Sequence, residues 1–172
     1  MGEVSAGTVW LVGMMGAGKS AVGRALAARL GRPFADSDAE VERAAGRPLA
    51  DLFASAGEAG FRELERRAIE ELAGRPLVVA LGGGAIAQPG AARRLAETGT
   101  VIYLKARPET LLARVGEAEC RPLLRGLDRA GRLARLRALL AERRAAYETA
   151  QLVVETDDLD VAGVADALAG RL

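Results

Sequence analysis

Eight residues near the start, Gly13-Met14-Met15-Gly16-Ala17-Gly18-Lys19-Ser20, constrain this chain more than any others, because they fit the pattern G-x-x-x-x-G-K-[ST]. The apolar run Val9-Trp10-Leu11-Val12 precedes them and a helical pattern begins near Lys19. That strand–loop–helix context is the one in which the motif cradles phosphate. Glycines let successive backbone N–H groups converge on one anion, and the helix that follows adds its positive end. Lys19 is placed to reach β- and γ-phosphates and Ser20 to set its hydroxyl on Mg²⁺.

Composition narrows the chemistry that can accompany such a loop. There is no histidine, so imidazole bases and His-ligated metals are excluded, and a general base must be Asp or Glu. One cysteine, Cys120, permits neither an internal disulfide nor a thiolate zinc site. A net charge of +1 argues against binding nucleic acid through bulk electrostatics. Nearly all positive charge is arginine; the two lysines are Lys19 and Lys105, which makes Lys19 the more telling. No apolar run approaches the ~18 residues of a membrane span, and the start shows neither a secretory pattern nor a myristoylation pattern. A reduced, cytoplasmic, soluble protein of one domain is expected for 172 residues.

Strands and helices are expected to alternate. Val22, Leu26 and Leu30 share a helix face that Gly31 ends, and Pro33-Phe34-Ala35 reads as a short strand. Ser37 with Glu40 resembles a capping box for a helix running to Gly46. Leu49–Ala56 and Glu58–Leu72 read as two helices parted by Gly57. Leu77–Leu81 is a buried strand ending in Gly82-Gly83-Gly84. Helix Ala91–Glu97, strand Thr100–Leu104, helix Glu109–Val115, helix Arg132–Ala150, strand Leu152–Glu155 and a last helix from Val161 complete the pattern. Gly116–Asp128, with Pro122 and Gly126 and no apolar period, reads as a long loop of the lid kind. The fold class is therefore α/β, a parallel sheet with helices on both faces, and its ligands belong beyond the C-terminal strand ends.

Three further features point to that edge. Asp36-x-Asp38 ends the second strand, where alternation would direct both carboxylates the same way, suited to positioning Mg²⁺ and accepting a hydroxyl proton. The glycine triplet implies close backbone approach to something. Arg62, with Glu65 one turn on, and Arg143, on the apolar face of its helix, suggest a second, anionic ligand such as a carboxylate. Arg121 lies in the expected lid.

Taken together these residues resemble the shikimate kinase family. The phosphate loop, Phe34-Ala35-Asp36-Ser37-Asp38, Gly57-Glu58 with Phe61-Arg62-Glu63-Leu64-Glu65, Leu81-Gly82-Gly83-Gly84-Ala85, Arg121-Pro122-Leu123-Leu124 and the Arg143–Tyr147 segment match its motifs in order. The resemblance implies a three-layer α/β/α P-loop fold of the nucleoside monophosphate kinase kind with about five strands. It implies ATP and Mg²⁺ as cofactors and transfer of a phosphoryl group to the 3-hydroxyl of shikimate, within chorismate and aromatic amino acid biosynthesis. Gly13–Ser20, Ala21, Arg114 and Arg121 would bind nucleotide, and Ser20 and Asp36 the metal. Asp38, Arg62, Gly83, Gly84 and Arg143 would bind substrate, with Asp38, Lys19 and Arg121 catalytic and Glu65 anchoring Arg62. It also implies a monomer, a substrate-binding segment at about 36–74 and a lid at about 116–128. Ala21 departs from the threonine of many relatives, which removes a hydroxyl contact there. The alternatives are a gluconate-type sugar-acid kinase, a nucleoside monophosphate kinase or a P-loop nucleotide switch.

Overall fold

The computed structural model describes residues 7–115 and 122–172. Five parallel strands run in the order β2-β3-β1-β4-β5, with β1 Thr8–Val12, β2 Phe34–Asp36, β3 Val78–Ala80, β4 Gly99–Lys105 and β5 Leu152–Glu155. The helices are α1 Lys19–Leu30, α2 Ser37–Ala45, α3 Leu49–Leu72, α4 Ala91–Thr98, α5 Pro108–Arg114, α6 Arg129–Tyr147 and α7 Val161–Ala169. Every β1 residue is buried, as a central strand covered on both faces requires. Trp10, fully buried, donates from Nε1 to Thr98 Oγ1 at 3.3 Å and ties β1 to the end of α4. The main core fills both sides of the sheet. A separate small cluster, Val41, Leu52, Phe61 and Ala68, joins α2 to α3. No helix among the described residues is long and apolar enough to cross a membrane.

The alternation and sheet class match the sequence reading, and four local details differ. The two helices expected around Gly57 join into one α3, sharply kinked where Gly57 takes φ 66°, ψ −175°. α2 is capped by Asp36, whose carboxylate accepts from the Asp38 and Ala39 N–H groups, so Ser37 forms no capping box. Ser37 is instead fully buried. Within the expected 116–128 loop, Pro122–Leu124 forms a 3₁₀ turn and residues 116–121 lie outside the described residues. A further 3₁₀ turn, Ala85–Ala87, follows the glycine triplet without any periodic signal.

The register of β1 on β4 depends on one close approach. Gly99 lies opposite Thr8, and a Cβ there would sit 1.8 Å from the Thr8 carbonyl oxygen. Thr8 cannot retreat easily, because its buried hydroxyl donates to Leu72 O and Arg75 O at 3.1 and 2.9 Å. Gly99→Ala should therefore destabilise the fold by about 2–3 kcal/mol through overpacking alone. Thermal denaturation should show a Tm about 5–10 °C lower; an unchanged Tm would mean that the strands slide apart freely.

Candidate active site

The loop after β1 has the conformation that phosphate binding needs. Gly13, Gly16 and Gly18 adopt φ values of 149°, 81° and 89°, and side chains at Gly13 or Gly16 would collide with the carbonyls of Leu104 and Leu111. β4 and α5 thus hold the loop from beneath. Lys19 Nζ lies along it, donating to Gly13 O at 2.8 Å and Met14 O at 3.0 Å. Met14 and Ala17 are buried at 1% exposure, so these two positions face an anion with backbone only, their side chains belonging to the core.

Asp36 and Asp38 reach the same cleft, though for a different reason than strand alternation. Asp36 is the last residue of β2 and Asp38 is already in the first turn of α2. Asp36 divides its carboxylate: Oδ1 caps α2, while Oδ2 accepts from Ser20 Oγ at 2.9 Å. The hydroxyl of the phosphate loop and one carboxylate are thereby brought together at the sheet edge.

The glycine triplet stands between charged groups. A Cβ on Gly82 would lie 2.7 Å from both Asp38 Oδ1 and Glu65 Oε1. One on Gly84 would lie 2.7 Å from Arg62 Nη2 and 3.3 Å from Arg143 Nη2. A side chain at Gly82 would have to displace the Asp38 and Glu65 carboxylates, and one at Gly84 the Arg62 and Arg143 guanidiniums. Arg62 Nη1 donates to Glu65 Oε2 at 2.7 Å, and Glu58 lies 3.7 Å from Arg62 Nη2. The buried Arg62 Nε has no partner among the described residues. Burial pushes the Glu65 carboxyl above its ordinary range, against the pull of Arg62, and the neighbouring Asp38 charge pushes the same way. Arg143 is half-buried over the triplet, while Arg144 is exposed and paired with Glu148, as helix spacing requires.

On the far side, Arg114 donates to Thr156 Oγ1 at 2.9 Å and Thr156 O at 2.5 Å. Arg114 and the loop after β5 therefore form one unit. A continuous cleft of about 1030 Å³ is lined by Lys19, Ser20, Ala21, Asp36, Asp38, Arg62, the triplet, Arg114 and Arg143. Every expected site residue that is described lines it except Gly13, Met14 and Ala17, which support it from below. Arg121 and Cys120 lie outside the described residues. Three participants escaped the sequence reading. Ser37 Oγ accepts from Gly82 N at 2.8 Å; its signal was a small polar residue between two aspartates. Tyr147 donates to Gly83 O at 2.6 Å; its signal was a phenol one turn beyond Arg143. Phe53, stacked on Phe61 with centroids 4.2 Å apart, walls the cleft, and nothing in its spacing marked it.

A parallel sheet with a glycine loop after its central strand, an Asp–Ser pair beside it and an arginine-lined second pocket defines a P-loop phosphotransferase acting on a small molecule. The family model described as shikimate kinase matches residues 15–171. The chain is 45% identical to the shikimate kinase of Nitrobacter winogradskyi over 163 residues, 94% of this chain and 75% of the relative. Its structure resembles that of Acinetobacter baumannii shikimate kinase in complex with shikimate, with a TM-score of 0.84 and 41% identity, covering 96% of this chain and 89% of that one. Bacteroides thetaiotaomicron shikimate kinase gives a TM-score of 0.90 at 32% identity, covering 95% and 97%. The chain belongs to the shikimate kinase family.

Glu65 supplies a pH test of this geometry. A carboxyl whose folded pKa is raised binds its proton more tightly folded than unfolded, so stability falls as pH rises above the ordinary value of 4.5. Glu65→Gln stays neutral and loses that slope. Urea midpoints at about pH 5 and about pH 8 should show the wild type losing ground to the variant at the higher pH. A wild type gaining ground instead would mean that Arg62 outweighs burial.

Proposed function

We propose that the chain transfers the γ-phosphoryl group of ATP to the 3-hydroxyl of shikimate, giving shikimate 3-phosphate and ADP for chorismate and aromatic amino acid biosynthesis. One observation carries this reading. A single cleft joins the phosphate loop to a pocket where Asp38 meets the backbone of Gly82, and Arg62 and Arg143 that of Gly83 and Gly84. A phosphate donor and a hydroxylated carboxylic acid suit its two ends. The shikimate in the Acinetobacter baumannii complex supports the choice of acid.

In this reading the loop N–H groups and Lys19 hold the nucleotide phosphates, and Arg114 with the Thr156 loop flanks the base. Arg62, Arg143 and the Gly83–Gly84 backbone grip the carboxylate, with Glu65 orienting Arg62. Asp38 binds ring hydroxyls and accepts the proton of the attacking hydroxyl as its oxygen bonds to Pγ and the bond from Pγ to the bridging oxygen breaks. The leaving charge passes to ADP. Lys19 and Arg121 stabilise charge on the transferring group, and catalysis is positioning plus electrostatics.

The residues present fit Mg²⁺: a hydroxyl and a carboxylate 2.9 Å apart, Ser20 and Asp36, stand beside the phosphate loop, and no group of three or more acidic or thiol ligands occurs among the described residues. Mg²⁺ is held by one or two protein oxygens plus phosphates, and when bound it would neutralise charge on the polyphosphate. The segment 36–74 forms the acid-binding side and 116–128 the lid of one domain. The proposed enzyme is a monomer. The net charge of +1 supports a small-molecule partner rather than nucleic acid, and the proposed location is cytoplasmic.

Coupled ADP release over shikimate, gluconate and nucleoside monophosphates tests the assignment. Turnover should require shikimate; ADP release indifferent to any acid would mark a nucleotide hydrolase or switch instead. Arg62→Ala or Arg143→Ala should raise the shikimate KM about 10–100-fold with little change for ATP, since each removes charge-assisted hydrogen bonds. Arg121→Ala should lower kcat about a hundredfold or more at nearly constant shikimate KM. Loss of ATP affinity in the first pair would overturn the division into two ends.

A further inference from the structure

Phosphoryl transfer as described makes no use of one fully buried residue at this edge, a tyrosine whose hydroxyl reaches the glycine triplet. Tyr147 is the last residue of α6 and has no solvent exposure. Its ring stacks on Tyr103 with centroids 5.0 Å apart and planes 18° from parallel. Its hydroxyl donates to Gly83 O at 2.6 Å and touches Met14 Sδ of the phosphate loop at 3.5 Å. Arg143, one turn earlier on the same helix face, reaches the same glycines and stands 4.0 Å from that sulfur through Nη1.

The consequence follows from peptide geometry. The Gly83 carbonyl and the Gly84 N–H are opposite ends of one planar unit, and no peptide bond in the described residues is cis. Fixing the oxygen fixes the direction of the N–H. Glycine on both sides of that peptide leaves little steric resistance to its rotation, so an added restraint decides which way it points. The preceding peptide is already pinned, because Gly82 O accepts from the Ala85 N–H at 3.0 Å, and the one before it is held by the Gly82 N–H donating to the buried Ser37 hydroxyl at 2.8 Å. Burial holds the Tyr147 phenol above its ordinary pKa, so it remains a donor across the working range.

We infer that Tyr147 is a positioning residue for the acid, locking the Gly83–Gly84 peptide with its N–H toward the carboxylate that Arg62 and Arg143 hold. Helix α6 thereby contributes twice to one anion, directly through Arg143 and indirectly through the Tyr147 hydroxyl. The inference rests on the proposed seat of the carboxylate at Gly83 and Gly84. It differs from a purely structural role in what it changes. A loosened peptide weakens the acid equally in ground and transition states, which raises KM without lowering kcat.

The test is Tyr147→Phe, which keeps the ring and its stacking and removes one oxygen. Steady-state kinetics should show the shikimate KM raised about five- to tenfold, from loss of one buried hydrogen bond, with kcat and the ATP KM within about twofold. A folded variant with unchanged shikimate KM, or with both KM values and Tm shifted together, overturns the inference. Should Tyr147→Phe not accumulate as folded protein, 3-fluorotyrosine placed at position 147 gives a stronger donor on the same ring. A lower shikimate KM is then expected, and an unchanged one overturns the inference. Wild-type turnover on shikimate and the Arg62→Ala KM serve as controls. If these fail, the seat of the acid is wrong; if they hold and Tyr147→Phe is silent, only the role of Tyr147 falls.

Discussion

The site depends on how closely charged side chains approach the backbone after β3. Asp38 and Glu65 leave no room for a carbon on Gly82, and Arg62 and Arg143 leave none on Gly84. Glycine at these positions is a packing requirement before it is a conformational one. It lets two carboxylates and two guanidiniums stand within reach of one another and of free backbone donors. A larger residue at Gly84 would meet the Arg62 and Arg143 guanidiniums and have to displace them.

This crowding also sets the electrostatics. Glu65 is buried beside Arg62 and near Asp38, so its charge is disfavoured by desolvation and by a like neighbour while one guanidinium holds it in place. An incoming carboxylate would add a third negative group to two arginines. Arg62 is therefore shared: Nη1 is committed to Glu65, and Nη2 lies nearest the Gly84 backbone. The fork geometry of guanidinium allows that division, which a lysine ammonium could not reproduce.

Much of this was legible in the sequence because it is local. The phosphate loop, the strand–helix alternation and the inward face of α6 that carries Arg143 each follow from spacings within a few residues. Asp36 and Asp38 both reach the cleft, but not by alternation, since the chain passes between them from strand to helix. The capping role went to Asp36 because its carboxylate can reach two N–H groups and still accept from Ser20. Ser37 was thereby freed for Gly82, 45 residues away. Contacts of that separation, like Tyr147 with Gly83, depend on which elements the sheet order brings together, and no periodicity encodes them.

The two ends of the cleft are also held by different means. The phosphate loop rides on the main core, packed over β4 and α5 through glycine contacts that admit no side chain. The Asp38 and Arg62 end rides on α2 and α3, whose apolar residues form their own small cluster. Only the end of α3, with Ile69 and Leu72, belongs to the main core. What joins that end to the phosphate loop and to the chain after β3 is polar: Ser20 to Asp36, and Ser37 to Gly82. Hydrogen bonds fix distance and direction more sharply than apolar contact does. In-line transfer requires reacting atoms placed to a fraction of an ångström, so the polar links lie where that demand is greatest and apolar packing carries the rest.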